Sequence, residues 1–407
     1  MGTPRSRQPW PTIAVGAVLV LVGAARLPAQ QAAADPYPPQ EVWAPPDSCT
    51  VLLDDFDSYD TGKRPPLWQA YGTDDQAKAR LTVEAVDEAQ PQDRALVLTG
   101  PLGPATKEMP VEAARWLLLP AAADGVRVSV KGDSGGHDFH VRLIDKDDET
   151  FGYILGPVAS EEWVTHTISL TETPPQYSYG QKHNGRLDPP LRLQSVGVAV
   201  RPDGRHEGEF RVLVDDIGIT VGPTESIPVW TPGYATVQDE VGLAMQPPVG
   251  TASGTLELAQ EDELIYPVLA YDWGQELPRP NSYLEVAFQV ETGAGDGTLF
   301  FWVQGDGSRA YVIPRMVDAD GECWQFQWAQ ATAVTWRGWR CLSMDIAPER
   351  TAAYVEHWGG DGAMQPPYRF LSIVVDDLQP YNQVPDLPTG ELTGRIGFGP
   401  VYYVPWK

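Results

Sequence analysis

One pattern occurs twice, 173 residues apart. Val130-Lys131-Gly132-Asp133-Ser134-Gly135-Gly136 leads to Arg142 and Asp145, and Val303-Gln304-Gly305-Asp306-Gly307-Ser308 leads to Arg315 and Asp318 at the same offsets. Phe151, Tyr153 and Leu155 then match Trp324, Phe326 and Trp328 in register. A repeat of this length implies two copies of one folding unit, so the fold has to be something that can be built twice in one chain. Segments such as Gly125-Val126-Arg127-Val128-Ser129-Val130 and Phe139-His140-Val141-Arg142-Leu143-Ile144 alternate apolar and polar residues with period two. Glycine and proline, 39 of each, are spread along the chain, and helical periodicity is scarce after residue 50. Short strands joined by turns fit this text. The expectation is an all-β chain of two tandem antiparallel β-sandwich, jelly-roll domains, at 48–222 and 255–407, with 223–254 holding the linker and an irregular start to the second.

Ahead of them, Arg5 and Arg7 precede an apolar run from Thr12 to Ala25 and then small residues through Ala34. This is the plan of a secretory signal peptide over 1–34, and the run is short for a membrane span. A Pro/Ala-rich spacer follows to residue 47. The mature chain is expected outside the cytoplasm, secreted, periplasmic or at the cell surface, without membrane insertion. An excess of 55 Asp and Glu over 29 Lys and Arg argues against nucleic acid or an anionic membrane as partner. Cys323 and Cys341 fall on segments read as adjacent antiparallel strands, which would let them face each other and bond as a disulfide, leaving Cys49 over.

Gly132-Asp133-Ser134-Gly135-Gly136 has the look of a serine-hydrolase nucleophile motif. A trypsin-like triad needs its histidine earlier in the chain, yet the first histidine is His137; a nucleophile elbow needs a helix next, yet an alternating strand follows. In the second copy Gly307 stands where Ser134 does. The segment reads as a turn between strands, with glycines supplying positive φ.

A strand ending in this motif, an Arg-containing strand, an aromatic strand and a Trp-led strand, opened by Asp54-Asp55-Phe56-Asp57 and closed by Val214-Asp215-Asp216-Ile217, resembles the galactose-binding-like β-sandwich. More narrowly it is similar to complex I intermediate-associated type domains and to carbohydrate-binding modules. The second copy departs from the pattern at both ends, with Gly399-Pro400-Val401 where the closing acids should be. The resemblance implies recognition of a poly- or oligosaccharide, and often a structural calcium. Asp55, Asp57, Asp215 and Asp216 are the candidate ligands, hard carboxylate oxygens of the kind Ca²⁺ prefers. The acidic segments 145–149 and 318–322 read as exposed hairpin tips.

For the ligand, Trp324, Phe326 and Trp328 share one face of a strand and could stack on sugar rings, or could be core. Nine tryptophans follow residue 222 against three in 48–222, which favours the second copy as the binder. Trp336, Trp358, Arg315, Asp318, Tyr153 and Arg142 complete the candidate set. The expected partner is a neutral polysaccharide or glycan bound without catalysis. The rivals are a glycoside hydrolase or lyase on a sandwich scaffold, and a structural, protein-binding module.

Overall fold

The alternating segments form strands, and their apolar positions decide which side is inward. In the computed structural model of the chain, Val126, Val128 and Val130 are at most 1% exposed, while Arg127 between them is not buried. The structure describes residues 43–57, 59–65, 68–71, 80–87, 90–101, 110–199, 201, 203–204, 207–222, 225–232, 243–261, 264–274, 282–293, 295–326, 332–348, 355–377 and 391–406. The signal-type segment, the spacer up to residue 42 and Trp328 lie outside them.

Ten strands come first: β1 (Val51–Asp54), β2 (Gln69–Tyr71), β3 (Arg80–Asp87), β4 (Gln90–Pro101), β5 (Val111–Leu118), β6 (Ala123–Ile144), β7 (Thr150–Ser169), β8 (Tyr177–Tyr179), β9 (Arg192–Ala199) and β10 (Glu209–Val221). They make one antiparallel sheet ordered β2-β5-β9-β6-β10-β4-β3, with β1 on β10, β7 along β6 and β8 on β7. The 22-residue β6 bends this sheet over on itself. Its first half pairs with β10 and its second half with β9. The bend is the Gly132–Gly136 segment, where Gly132 has φ +120° and a Cβ would lie 2.3 Å from the Arg211 carbonyl oxygen. Ser134 at this corner is fully buried and bonded to the backbone of His137 and Val158, so it is a structural hydroxyl. The two layers enclose one core that includes Val128, Val141, Leu143 and Phe151.

Thirteen strands follow: β11 (Ile227–Trp230), β12 (Ala244–Met245), β13 (Ser253–Glu261), β14 (Leu264–Asp272), β15 (Tyr283–Glu291), β16 (Gly297–Asp306), β17 (Tyr311–Val317), β18 (Cys323–Phe326), β19 (Thr332–Ala333), β20 (Arg337–Ile346), β21 (Val355–Trp358), β22 (Arg369–Asp376) and β23 (Thr393–Pro405). One sheet runs β13-β14-β23-β16-β20, with β11 on β23; the other runs β12-β15-β22-β17-β18-β21, with β19 on β17. Here Gly307, φ +75°, separates β16 from β17 where β6 is continuous. The sheets face each other across a core holding Leu299, Phe301, Val286, Met316, Trp324 and Phe326.

Alternation also decides what the outer face of the β13–β20 sheet does. Phe301 points into its own core, whereas its neighbours Phe300 and Trp302, with Tyr402 and Val404, join the N-terminal core cluster. Each buried aromatic of this kind contributes roughly 2 kcal/mol. Polar contacts cross the same junction: Arg340 donates to Asp55, and the Ala121 amide donates to Asp345 at 3.0 Å. The described residues accordingly form one compact unit.

The expected disulfide is absent. Cys323 lies on β18 and Cys341 on β20, strands of opposite sheets rather than neighbours. Register pairs Cys323 with Val317 and Trp358 on the outer side of one sheet, and Cys341 with Trp302 on the outer side of the other. The core therefore separates them. Burial pushes the Cys323 thiol up to about 12 and that of Cys341 well above its ordinary value, with Cys49 adding to the second.

Candidate functional site

The second layer of the N-terminal half, β2-β5-β9-β6-β7-β8, turns its inner residues to the core and leaves an outer face. Val111 and Ala113 of β5 are in the core, so Glu112 is on the outer face. Across the strands, register places Tyr71 opposite Glu112, Gly197 opposite both Glu112 and His140, Ser195 opposite Arg142, and Gly152 opposite Arg142 and Tyr177.

These side chains form one connected group. Arg142 Nη1 donates to Glu112 Oε2 at 2.9 Å, Ser195 Oγ donates to Glu112 Oε1 at 2.9 Å, and His140 Nε2 lies 2.6 Å from Glu112 Oε1. Burial alone would raise the Glu112 carboxyl; the hydrogen bond and charge of His140, the Arg142 guanidinium and the Ser195 hydroxyl outweigh it and hold the group below its ordinary value. Arg142 Nε donates to Tyr177 Oη at 3.0 Å, and its guanidinium sits 5.8 Å from the ring centres of both Tyr177 and Tyr179. Those two rings are stacked, 6.3 Å apart and 11° from parallel. A Cβ on Gly152 would fall 1.9 Å from the Tyr177 ring, so glycine is what lets the ring lie against the sheet. At the other edge Tyr71 and Trp116 meet edge to face at 5.9 Å.

The outcome is a polar floor of Glu112, Ser195, Gly197, Arg142 and Gly152 between two aromatic pairs, in which Tyr177 is half-buried and the other three rings are exposed. Tyr179 is 48% exposed, Trp116 39% and Tyr71 36%. From β2 to β8 is five strand spacings, roughly 24 Å.

The C-terminal half repeats the polar trio. Arg315 Nη1 donates to Glu285 Oε2 at 2.6 Å, and Ser372 Oγ donates to Glu285 Oε1 at 2.5 Å. Glu285 and Arg315 follow Glu112 and Arg142 at the 173-residue offset, and Ser372 follows Ser195 at 177. Arg315 Nε donates to Gln325 Oε1 at 2.7 Å, and the guanidinium lies 5.5 Å from the Tyr283 ring and 5.3 Å from that of Trp358. The trio is common to both faces; the aromatic rings it holds differ.

Arg142, Arg315 and Trp358, expected at a binding face, stand on these two. The other described aromatic candidates do not. Trp324, 3% exposed, and Phe326, fully buried, do share a face of β18, but it is the core face. Trp324 Nε1 donates to the buried Asp318, so that pair is structural. Tyr153 is core on β7, and Trp336 is buried with its Nε1 donating to the Val303 carbonyl. The hairpin tips expected at 145–149 and 318–322 are exposed at their turns, at Lys146, Asp148 and residues 319–321, but not at the acids that flank them. Asp145, Glu149, Asp318 and Glu322 are buried, and their oxygens accept backbone amides, as Asp145 does from Asp147 and Glu149. Glu112, His140, Ser195, Tyr71, Trp116, Tyr177 and Tyr179 were not anticipated from the sequence.

The acids flanking the N-terminal motif split between roles. Asp54 is consumed internally, accepting from Tyr59, Trp68 and Arg115. Asp55 binds Arg340, and Asp57 accepts the Arg94 amide at 2.8 Å. Asp215 is raised well above the ordinary carboxylate range by burial and then by the charges of Asp216, Asp57 and Asp55; burial and Asp55 raise Asp216 too, against Arg127. Among the described residues, only Asp318, Asp320 and Glu322 bring three ligand atoms within 4.8 Å.

No protein-family model matches the chain, and no curated protein matches it. Among solved structures it is similar to a family 11 carbohydrate-binding module of a cellulosomal cellulase of Clostridium thermocellum, at 15% identity over 43% of this chain and 95% of that one, TM-score 0.30. It is also similar to a Paenibacillus xanthan lyase, at 11% identity over 86% of this chain and 27% of that one, TM-score 0.23. Among the described residues no helix is long and apolar enough to cross a membrane.

Proposed function

We propose that this is an exported, non-catalytic glycan-binding protein built from two tandem copies of one sandwich, and that a neutral poly- or oligosaccharide lies across the outer face of β2-β5-β9-β6-β7-β8. The observation that carries this reading is the pairing of aromatics, exposed Tyr71 with exposed Trp116 and half-buried Tyr177 with exposed Tyr179, on either side of a hydrogen-bonding floor. Rings at the rims stack on the apolar sides of sugars, and the floor orients hydroxyls; this division suits a ligand that is both amphipathic and polymeric. The guanidinium in the floor is neutralised by Glu112, which favours a neutral glycan over a uronate or sulfate. The export signal rests on the N-terminal residue pattern alone.

Calcium belongs to the same proposal. It rests on charge alone: the repulsion that Asp216, Asp57 and Asp55 exert on Asp215 is what a divalent cation would relieve, while no three of these four residues bring ligand atoms within 4.8 Å of one another. Bound there, it would supply charge neutralisation between β10 and the residues after β1.

A glycan array of the mature chain tests the binding reading. Retention of neutral oligosaccharides by the wild type, reduced in W116A/Y177A/Y179A, supports it. Retention of nothing by the wild type, or equal retention by the variant, overturns it.

A further inference from the structure

The C-terminal outer face holds one group that the trio does not explain. Asp376 lies on β22 in register with Tyr283 of β15 and Tyr311 of β17. It is thus on the same face as Glu285, Arg315 and Ser372, two residues beyond Val374, which stands opposite Glu285. It is 5% exposed, and its Oδ1 meets no hydrogen-bond donor. The Arg315 guanidinium nearby is already committed to Glu285 and Gln325.

A buried carboxyl oxygen without a donor is costly, so native structures rarely retain one without a use. The groups facing Asp376 are Arg315, Asp377, Glu285 and the two tyrosines. Burial first, and then the charge of Asp377, push Asp376 up to about 7, while Arg315 opposes them. Along the same face, Arg315 holds the Tyr283 ring, which is level with Asp376, and the Trp358 ring, 45% exposed and level with Val317 at the other end of β17. A face with an exposed ring at one end and an acceptor that lacks a donor at the other is complementary to a chain of polyhydroxylated rings.

We infer that the outer face of β15-β22-β17-β18-β21 is a second carbohydrate-binding site, in which Trp358 and Tyr283 stack on rings of one sugar chain and Asp376 accepts hydrogen bonds from its hydroxyls. This rests on the glycan-binding reading of the N-terminal face and makes the chain bivalent. Two sites on one compact unit hold a polymer more tightly than either holds a short oligosaccharide, without any new contact. Hydroxyl donors stabilise the ionised carboxyl, so affinity at this site rises as pH rises through 7. The N-terminal face, where Glu112 is held ionised by its partners, shows no such rise.

Calorimetric titration of the full mature chain with cellohexaose, xylohexaose and mannohexaose, at pH 5.5 and 8.5, tests this. The expected result is two sites per chain for at least one of these sugars. Y177A/Y179A should leave one site, whose affinity is about tenfold higher at pH 8.5 than at pH 5.5. D376N should weaken that site about tenfold or more and flatten its pH profile. W358A, a change at an exposed ring, should weaken the same site and so serves as a second probe should D376N fold poorly. A wild type with one site, lost in Y177A/Y179A, overturns the second site while the N-terminal reading stands. A remaining site indifferent to D376N and W358A overturns the assignment of residues. Absence of any binding by the wild type overturns both readings together.

Discussion

Replacing Asp376 by asparagine should stabilise the protein at alkaline pH, and the amount follows from the surroundings of the carboxyl. In the unfolded chain an aspartate titrates near 3.8; in the folded protein burial and Asp377 hold Asp376 up to about 7. At about 1.4 kcal/mol per pH unit, this difference corresponds to roughly 4 kcal/mol. Because the folded value is the higher one, the unfolded chain releases this proton first. The penalty is nil below about pH 4, grows as pH rises, and is complete above about pH 7. The asparagine side chain cannot ionise, so the variant escapes it, giving back about 1–3 kcal/mol if its own amide is left unbonded. Urea denaturation followed by tryptophan fluorescence, at intervals from pH 4 to 8.5, measures this. The stability of D376N relative to wild type should improve by roughly 4 kcal/mol across that range. The pH responses of Asp215 and of every other group are common to both proteins and cancel. A stability difference that stays flat with pH would mean that Asp376 is either paired or hydrated, and would refute the reasoning. A protein that keeps so unfavourable a group is trading stability for something, which is the pattern of a binding site.

Two further outcomes follow from the same geometry. Millimolar Ca²⁺ should raise the thermal midpoint of the wild type by several degrees and leave D215N/D216N unmoved, with a larger effect at pH 8 than at pH 5, because the raised Asp215 and Asp216 must ionise to bind it; a differential scanning calorimetry pair with and without chelator reads this, and equal midpoints would remove the metal. R340A leaves Asp55 without its partner in the junction between the two halves and should cost about 3–5 kcal/mol in denaturant unfolding, whereas a loss under 1 kcal/mol would show the pair to be hydrated.

Much of the fold was legible because alternation with period two is a strong local signal. Residues 125–130 and 139–144 read as strands and are strands, and the glycines of 132–136 do take positive φ. The motif's meaning shifted slightly: it is a corner within one long strand, which passes from one layer to the other, rather than a loop between two strands. Parity was also legible, since Trp324 and Phe326 do share a face. Which face is core was not. Both sides of the β17–β22 region are apolar, with Ile313 and Val374 on one and Val312 and Val375 on the other, and only the partner sheet distinguishes them. The cysteine pairing failed for a related reason: β18 and β20 are near in sequence, but β18 adds to β17 while β20 crosses to β16. Tyr177 and Tyr179 escaped notice because β8 is three residues long and pairs only with β7. Glu112 escaped because a lone acid in Val111-Glu112-Ala113 looks like any solvated strand position until Arg142, His140 and Ser195 arrive from distant strands.

The central claim, that aromatic pairs on the N-terminal outer face grip a neutral glycan, is tested most directly by affinity electrophoresis of the mature chain through gels containing a neutral glucan, xylan or mannan. The wild type should be retarded by at least one of them, and Y177A/Y179A with W116A should be retarded far less, the surviving retardation disappearing once W358A is added. Free migration of the wild type in all three gels, or retardation untouched by removal of these four rings, would contradict it.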